Sequence, residues 1–278
     1  LQKLNHFSVT QLEKYSRCAF RFFCEDVLKL RGRPEDKTNL TIGSLMHKVL
    51  ELSYLDQQTD LDKLVEDIWN STEFKGKLKL LHGQAEAERK KISFILKRFI
   101  EQDKLVSAER NFWPAEYEKK MSARDCAVYK LGGNTLSGTI DRVDKNAAED
   151  FLIIDYKSGQ LPQLEPAELE KGILPQALVY ALIYRELSGL SPAGAEYCGL
   201  KKNKRSGLYS AKYQNLIRSK KFVTPAEFTK ILNNLRSKLA EYFAAIQRGE
   251  FWQNNEEKCP EYCTASEICR QKQTGAPI

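Results

Sequence analysis

No apolar run in this 278-residue chain is long enough to cross a bilayer. The longest that reads as one element, Ala177 to Tyr184, falls far short of the roughly 20 residues a spanning helix needs. The N-terminus lacks the charged start and apolar core of a secretory signal. There is no internal repeat and no low-complexity segment. Seven cysteines are too few for a disulfide-built miniature. These absences exclude the membrane, fibrous and secreted classes and predict a cytoplasmic protein. The chain starts on Leu1, which predicts a piece of a longer polypeptide.

What is present is globular usage, 42% hydrophobic and 29% charged. The 44 Lys+Arg against 37 Asp+Glu leave a formal charge of +7, an excess compatible with a polyanionic partner. It is concentrated between Lys201 and Lys221, where eight Lys/Arg stand with no Asp or Glu. Tyr209 and Tyr213 interrupt that run, so it reads either as a solvated face or as a phosphate-contacting stretch.

The first hundred residues read as helical. Ser8 can cap a stripe of Val9, Leu12 and Tyr15. Thr41 to Leu55 repeats apolar residues at helical spacing, as do Leu61 to Trp69 and Ile92 to Ile100. Leu136 to Val143 and Phe151 to Tyr156 are β-branched or aromatic and are joined by a polar connection, which predicts a β-hairpin. Pro175 opens a helix through Leu187 with Gly189 just past its end. Ala195 to Leu200 is a candidate strand. Thr224 and Pro225 start a last helix that ends near Gly249. The pattern predicts a single mixed α/β domain over 1–278: a mainly helical part (1–110), a sheet with the Pro175 helix (111–222), and a helix with a cysteine tail (223–278).

Residues two apart on a strand share a face, so Asp155 and Lys157 point one way. If the hairpin is symmetric about Ala148, Asp141 lies across from Asp155, with Cβ atoms about 5 Å apart. Two carboxylates that close repel unless a cation sits between them. A hard divalent ion such as Mg²⁺ (or Mn²⁺) suits that arrangement, with Lys157 beside it to orient water or stabilise charge on a phosphate. The bland alternative is a surface hairpin carrying Asp-x-Lys by chance. Against it, the triplet Asp155-Tyr156-Lys157 ends an apolar strand, where a charge needs a reason.

These residues resemble the PD-(D/E)XK nuclease motif. Gly138-Thr-Ile-Asp141-Arg-Val-Asp144 and Ile153-Ile-Asp155-Tyr-Lys157-Ser-Gly159 are similar to its RecB/AddB-type subgroup. So are Gly43-Ser-Leu-Met-His47-Lys-Val-Leu-Glu51, its helical histidine motif, and Gln176-Ala-Leu-Val-Tyr180, its Gln-x-x-x-Tyr helix. The resemblance implies a restriction-endonuclease-like core, a small mixed sheet flanked by helices with a large helical N-terminal part. It implies His47, Asp141, Asp155 and the backbone carbonyl of Tyr156 as metal ligands and Lys157 as the catalytic lysine. Gln176 and Tyr180 would hold DNA or the catalytic groups. Each of His47 and Tyr180 has a core residue as its alternative. Glu116 is a further candidate, and Arg142 with Asp144 would form an ion pair or contact phosphate.

Cys259, Cys263 and Cys269 lie within eleven residues, a spacing that points to metal, with Cys18, Cys24, Cys126 and Cys198 as candidates for a fourth thiolate. The tail resembles the iron–sulfur tail of AddB-type and CRISPR-adaptation nucleases, which implies Cys18 as the fourth ligand of a [4Fe–4S] cluster, with Cys24 the alternative. Zinc is the rival metal, since four thiolates serve either. Tying residue 18 to residue 259 is worth roughly 5 kcal/mol in the crosslink-entropy picture, a staple joining the N- and C-terminal regions. By resemblance, the chain is expected to be a Mg²⁺-dependent deoxyribonuclease, an exonuclease joined to a helicase that processes double-strand breaks, with single-stranded DNA ends as substrate. A non-catalytic DNA-end-binding module and a stand-alone CRISPR-adaptation nuclease are the rivals.

Overall fold

The computed structural model describes residues 5–30, 38–56, 58, 60–78, 80–121, 129–253, 259 and 263–269. Strand β1 (His6–Ser8) runs directly into α1 (Val9–Arg17), where Ser8 and Gln11 form a reciprocal capping box. After α2 (Ala19–Phe22) and a π-helical turn (Phe23–Val27) come α3 (Thr38–Leu55), α4 (Leu61–Trp69) and the 29-residue α5 (His82–Arg110). The strands β2 (Trp113–Met121), β3 (Tyr129–Leu131), β4 (Asn134–Lys145) and β5 (Phe151–Lys157) follow. The chain then forms α6 (Pro166–Glu170), α7 (Gln176–Ser188), β6 (Pro192–Gly199), β7 (Lys204–Ser210), β8 (Phe222–Val223) and α8 (Pro225–Gln247).

The punctuation residues fall where the sequence places them. Pro175 is the N-cap of α7, and Gly189 ends it in the left-handed conformation that glycine adopts without a Cβ penalty. Thr224 and Glu227 box the start of α8, with Pro225 in its first turn.

The eight strands among the described residues form one mixed sheet, ordered β1-β4-β5-β6-β7-β8, with β2 and β3 also paired to β4. The β4–β5, β2–β4 and β6–β7 ladders are antiparallel, whereas β5 and β6 are parallel. Strand alternation divides the interior into two cores. Phe151 and Ile153 pack with α1, α7 and α8 on one face, and Leu152, Ile154 and Tyr156 pack with α3, α4 and α5 on the other. The buried sheet between helices is the layered solution expected when both faces of a strand such as Phe151–Tyr156 are apolar. The C-terminal ends of β5 and β6 emerge together, bringing Lys157 opposite Gly199.

Candidate metal centre

The β4–β5 ladder runs from Lys145–Phe151 to Arg142–Ile154, the register in which Asp141 is next opposite Asp155. Bridging stops there. Asp141 instead turns one oxygen onto the neighbouring backbone, its Oδ2 accepting from Tyr156 N at 2.7 Å. Its Oδ1 lies 3.3 Å from His47 Nδ1. Helix α3 delivers that imidazole at close range. Gly43, one turn earlier, sits where a Cβ would meet Ser158 Oγ at 2.8 Å. The His47 ring also stands edge-on to Tyr156, centroids 5.7 Å apart.

A third acid comes from β2. Its ladder with β4 pairs Tyr117 with Arg142 and Lys119 with Ile140, so Glu118 falls opposite Asp141 on the other flank of the same strand. Glu118 Oε1 lies 3.8 Å from His47 Nδ1. Ligand atoms of His47, Glu118 and Asp141 all lie within 4.8 Å of one another, the one such group among the described residues. The backbone of Glu118 is left-handed, φ 40°, a conformation that costs a non-glycine residue on the order of 1 kcal/mol and is a mark of constrained sites. It breaks the strand alternation. Glu116, the glutamate singled out in the sequence, instead bonds Lys119 and the Tyr184 hydroxyl, away from this cluster.

Asp155 is 3% exposed. Its Oδ2 pairs with the Lys157 ammonium and has no other hydrogen-bond partner among the described residues. Burial, then the Asp141 charge, pushes Asp155 up to about 7. Glu118 is likewise pushed up to about 7 by burial and by Asp141. Burial works against protonation of His47, and the charge and hydrogen bond of Asp141, with Glu118 and Asp155, outweigh it and raise its pKa. Burial also opposes the charge on Lys157, and Asp155, Asp141 and Glu13 outweigh it. Such an excess of clustered acid, with a buried carboxylate oxygen held only by an ammonium, suits a divalent cation.

Lys157 Nζ reaches Gln176 Oε1 at 3.1 Å, and Gln176 Nε2 reaches the Tyr180 hydroxyl at 3.1 Å. Both are on α7, four residues apart. Tyr180 is 2% exposed and packs where a Cβ on Gly138 would lie 2.8 Å from its hydroxyl. The Gln-x-x-x-Tyr pair thus meets the lysine.

On the other face, Arg142 is sealed in at 1% exposure. It bonds both oxygens of Asp144 at 2.5 and 2.7 Å, Asp103 Oδ2 at 2.5 Å and the Tyr156 hydroxyl at 3.0 Å. Arg142 and Asp144 therefore form an ion pair buried away from solvent, not a phosphate contact. Arg205 joins the same network through Asp103 and Glu196. Tyr209 and Tyr213 are buried as well, so neither ring is available to stack on a base.

Cys18 caps α2, its Sγ accepting from Arg21 N at 3.4 Å. Burial, then the neighbouring Cys263, Cys18 and Cys269, raises the thiol pKa of the fully buried Cys24. Thr264 bonds Glu25 at 2.6 Å, so the tail lies against the turn that carries Cys24. Cys259 is exposed. Cys18, Cys24, Cys263 and Cys269 share one neighbourhood, although no three described thiols close to within 4.8 Å. Cys198 is buried in the second core, and Cys126 lies outside the described residues.

Residues 6–270 match the model of the PD-(D/E)XK nuclease superfamily, and the chain belongs to that superfamily. A B-type subunit of an ATP-dependent helicase/deoxyribonuclease, from Lachnoclostridium phytofermentans, is 30% identical over 217 residues, covering 69% of this chain and 18% of that protein. The protein of the same name from Clostridium tetani is 29% identical over 201 residues, 64% of this chain and 17% of its own length. An uncharacterised Rickettsia bellii protein is 25% identical over 197 residues, 66% of this chain and 22% of that one. This chain spans about a fifth of the length of these relatives. A solved chain from Eubacterium rectale, named provisionally as an exonuclease, is 16% identical with a TM-score of 0.48, covering 99% of this chain and 89% of that one. No helix among the described residues is long and apolar enough to cross a membrane.

Proposed function

We propose that this chain is a Mg²⁺-dependent deoxyribonuclease, an exonuclease acting on single-stranded DNA ends, with Mn²⁺ able to replace Mg²⁺. The observation that carries the reading is the convergence of His47, Glu118 and Asp141 within 4.8 Å, beside the Asp155–Lys157 pair. His47, Glu118, Asp141 and Asp155, with the backbone carbonyl of Tyr156, would hold the cation. Bound there, a divalent ion supplies Lewis acidity to a phosphoryl oxygen and lowers the pKa of water.

The chain's own groups do the rest. Asp155 holds the Lys157 ammonium at the edge of the cluster, and Gln176 fixes its direction. An ammonium so placed donates to an attacking water or to charge growing on the scissile phosphate. Tyr180 fixes Gln176 in turn.

The likeness to subunits of helicase/deoxyribonucleases supports a place as the nuclease domain of an AddB/RecB-like helicase–nuclease in double-strand-break repair, working in the cytoplasm with a helicase domain or partner protein. The neighbouring Cys18, Cys24, Cys263 and Cys269, with Cys259 four residues before Cys263, support a structural [4Fe–4S] cluster on Cys18, Cys259, Cys263 and Cys269, with Cys24 as the alternative ligand and zinc as the alternative metal. Protein purified without oxygen is then brown and carries iron.

The deciding experiment incubates end-labelled single- and double-stranded DNA with the protein in Mg²⁺ and in EDTA. Cleavage in Mg²⁺ alone, lost in Lys157→Ala and Asp155→Ala variants that keep the fold, is the expected result. DNA binding without cleavage would show a non-catalytic end-binding module instead.

A further inference from the structure

The cationic run from Lys201 to Lys221 is divided by the fold between the β6–β7 turn and the segment that leads from the end of β7 back to β8. Arg205 is spent internally on Asp103 and Glu196. Lys212 pairs with Asp150, Arg218 with Glu109 and Lys221 with Glu165. Lys212 and Arg218 follow the far end of β7, and Lys221 returns beside that strand, where Tyr209 N donates to Lys221 O. Lys201, Lys202 and Lys204 remain at the β6–β7 turn. All three are exposed, and none forms an ion pair with a described carboxylate.

That turn is fixed to the catalytic strand. Gly199 is the ladder partner of Lys157, and Leu200 N donates to Lys157 O at 3.0 Å. On strand spacings of about 4.8 Å across and 3.3 Å along the chain, the backbone of the lysines lies about 10 Å from that of Lys157. Asn203 takes a left-handed φ of 46° at the turn, and its Nδ2 donates to Gln102 Oε1 on α5 at 2.9 Å. Arg205 clamps the outgoing strand through Asp103, which also holds Arg142 and, through it, the Tyr156 hydroxyl. The turn is thus locked from both sides to the strand that carries Asp155 and Lys157.

We propose that the β6–β7 turn is a phosphate rail. Lys201, Lys202 and Lys204 hold backbone phosphates of a DNA strand next to the phosphate at the metal centre. The proposal rests on the nuclease reading for its substrate. It takes its position from the ladder alone and specifies no base sequence, because phosphate contacts carry none.

The test compares the unaltered protein with Lys201→Ala/Lys202→Ala/Lys204→Ala and with Lys220→Ala, an exposed lysine of the same run outside the β6–β7 turn, just before β8. Fluorescence anisotropy with labelled oligothymidylate in EDTA reads binding without turnover, over a salt series. Loss of three phosphate contacts should flatten the slope of log affinity against log salt by about 2, at about 0.7 per contact on a single strand. Affinity at low salt should fall more than about tenfold, with Lys220→Ala unchanged. In Mg²⁺, hydrolysis of thymidine 5′-p-nitrophenyl phosphate, too short to reach the rail, should be unchanged in the triple variant. An unchanged salt slope, or an equal loss in Lys220→Ala, overturns the rail. Absence of Mg²⁺-dependent hydrolysis in the unaltered protein overturns the nuclease reading, and the anisotropy series still decides the rail.

Discussion

The Lys157 ammonium donates to Gln176 Oε1 at 3.1 Å, and that single contact sets the direction of every hydrogen bond behind it. An ammonium has only donors, so the Gln176 amide must offer its oxygen and turn its NH₂ to Tyr180. The Tyr180 oxygen therefore accepts from Gln176, and it packs against Gly138, three residues before Asp141. Lysine and metal cluster are joined through α7. Gln176→Leu should lower kcat about 10–100-fold, the scale of outer-shell partners, with little change in KM for DNA. Tyr180→Phe should act in the same direction and less strongly. A loss confined to KM would mean that the pair holds DNA and not the lysine.

Glu118 carries a conformational and electrostatic cost. Its φ of 40° is free for glycine and strained for glutamate, and its carboxylate faces Asp141 across the ladder. Glu118→Gly should raise the melting temperature of metal-free protein and weaken Mg²⁺ binding by at least about tenfold. Glu116→Ala should leave the Mg²⁺ response intact. Thermal melts titrated with Mg²⁺ read both effects. If Glu118→Gly keeps the Mg²⁺-induced shift, the glutamate is no ligand.

The contrast between these two glutamates shows where the sequence stops being legible. The hairpin register, the capped starts of α1 and α8 and the limits of α7 depend on residues within a few positions, and they are readable. So is the Asp141–Asp155 relation, because seven residues on either side of Ala148 set it. Glu116 and Glu118 are two apart and nominally share a face. Choosing between them needs the pairing of β2 with β4 and the left-handed kink at 118, both fixed by contacts distant in sequence. The burial of Arg205 is hidden in the same way. Its partners, Asp103 and Glu196, come from a helix a hundred residues earlier and a neighbouring strand, so locally it reads as one more solvated cation.

The acidic cluster should make metal-free protein less stable as pH rises from 5 to 8. Asp155 and Glu118 sit at about 7 in the folded state, against about 4 for unfolded carboxylates. The folded protein then binds protons more tightly, so this stability is present below about pH 4 and is lost as pH rises through 7. The raised pKa of His47 acts in the same sense. The carboxylates held at about 2, Asp103 and Glu196, lose their contribution only as pH falls below about 4, outside this window. Melting temperature in EDTA should therefore decline from pH 5 to 8, and excess Mg²⁺ should reduce or reverse the decline. Asp155→Asn/Glu118→Gln should flatten the EDTA profile. A melting temperature that climbs with pH in EDTA would show that the acids are not held together.

Arg205 should behave as a stability residue despite its place among the exposed lysines of the β6–β7 turn. Its guanidinium lies between Asp103 and Glu196, whose side chains are 1% and 0% exposed. Arg142 and Arg110 complete the group from the other sides, at 2.5 and 2.9 Å. Arg110, Arg142 and Arg205 balance Asp103, Asp144 and Glu196, so the cluster is neutral as a whole. Removing one partner from a buried set strands a charge and costs about 3–5 kcal/mol, whereas replacing a whole set by apolar groups can be neutral. Arg205→Ala should lower stability by that amount in urea unfolding. Below its lowered melting temperature, the variant should keep the salt slope of DNA binding, since Arg205 reaches no phosphate. A variant with native stability and a flattened salt slope would place Arg205 on the rail and its ion pairs outside the fold's essential contacts.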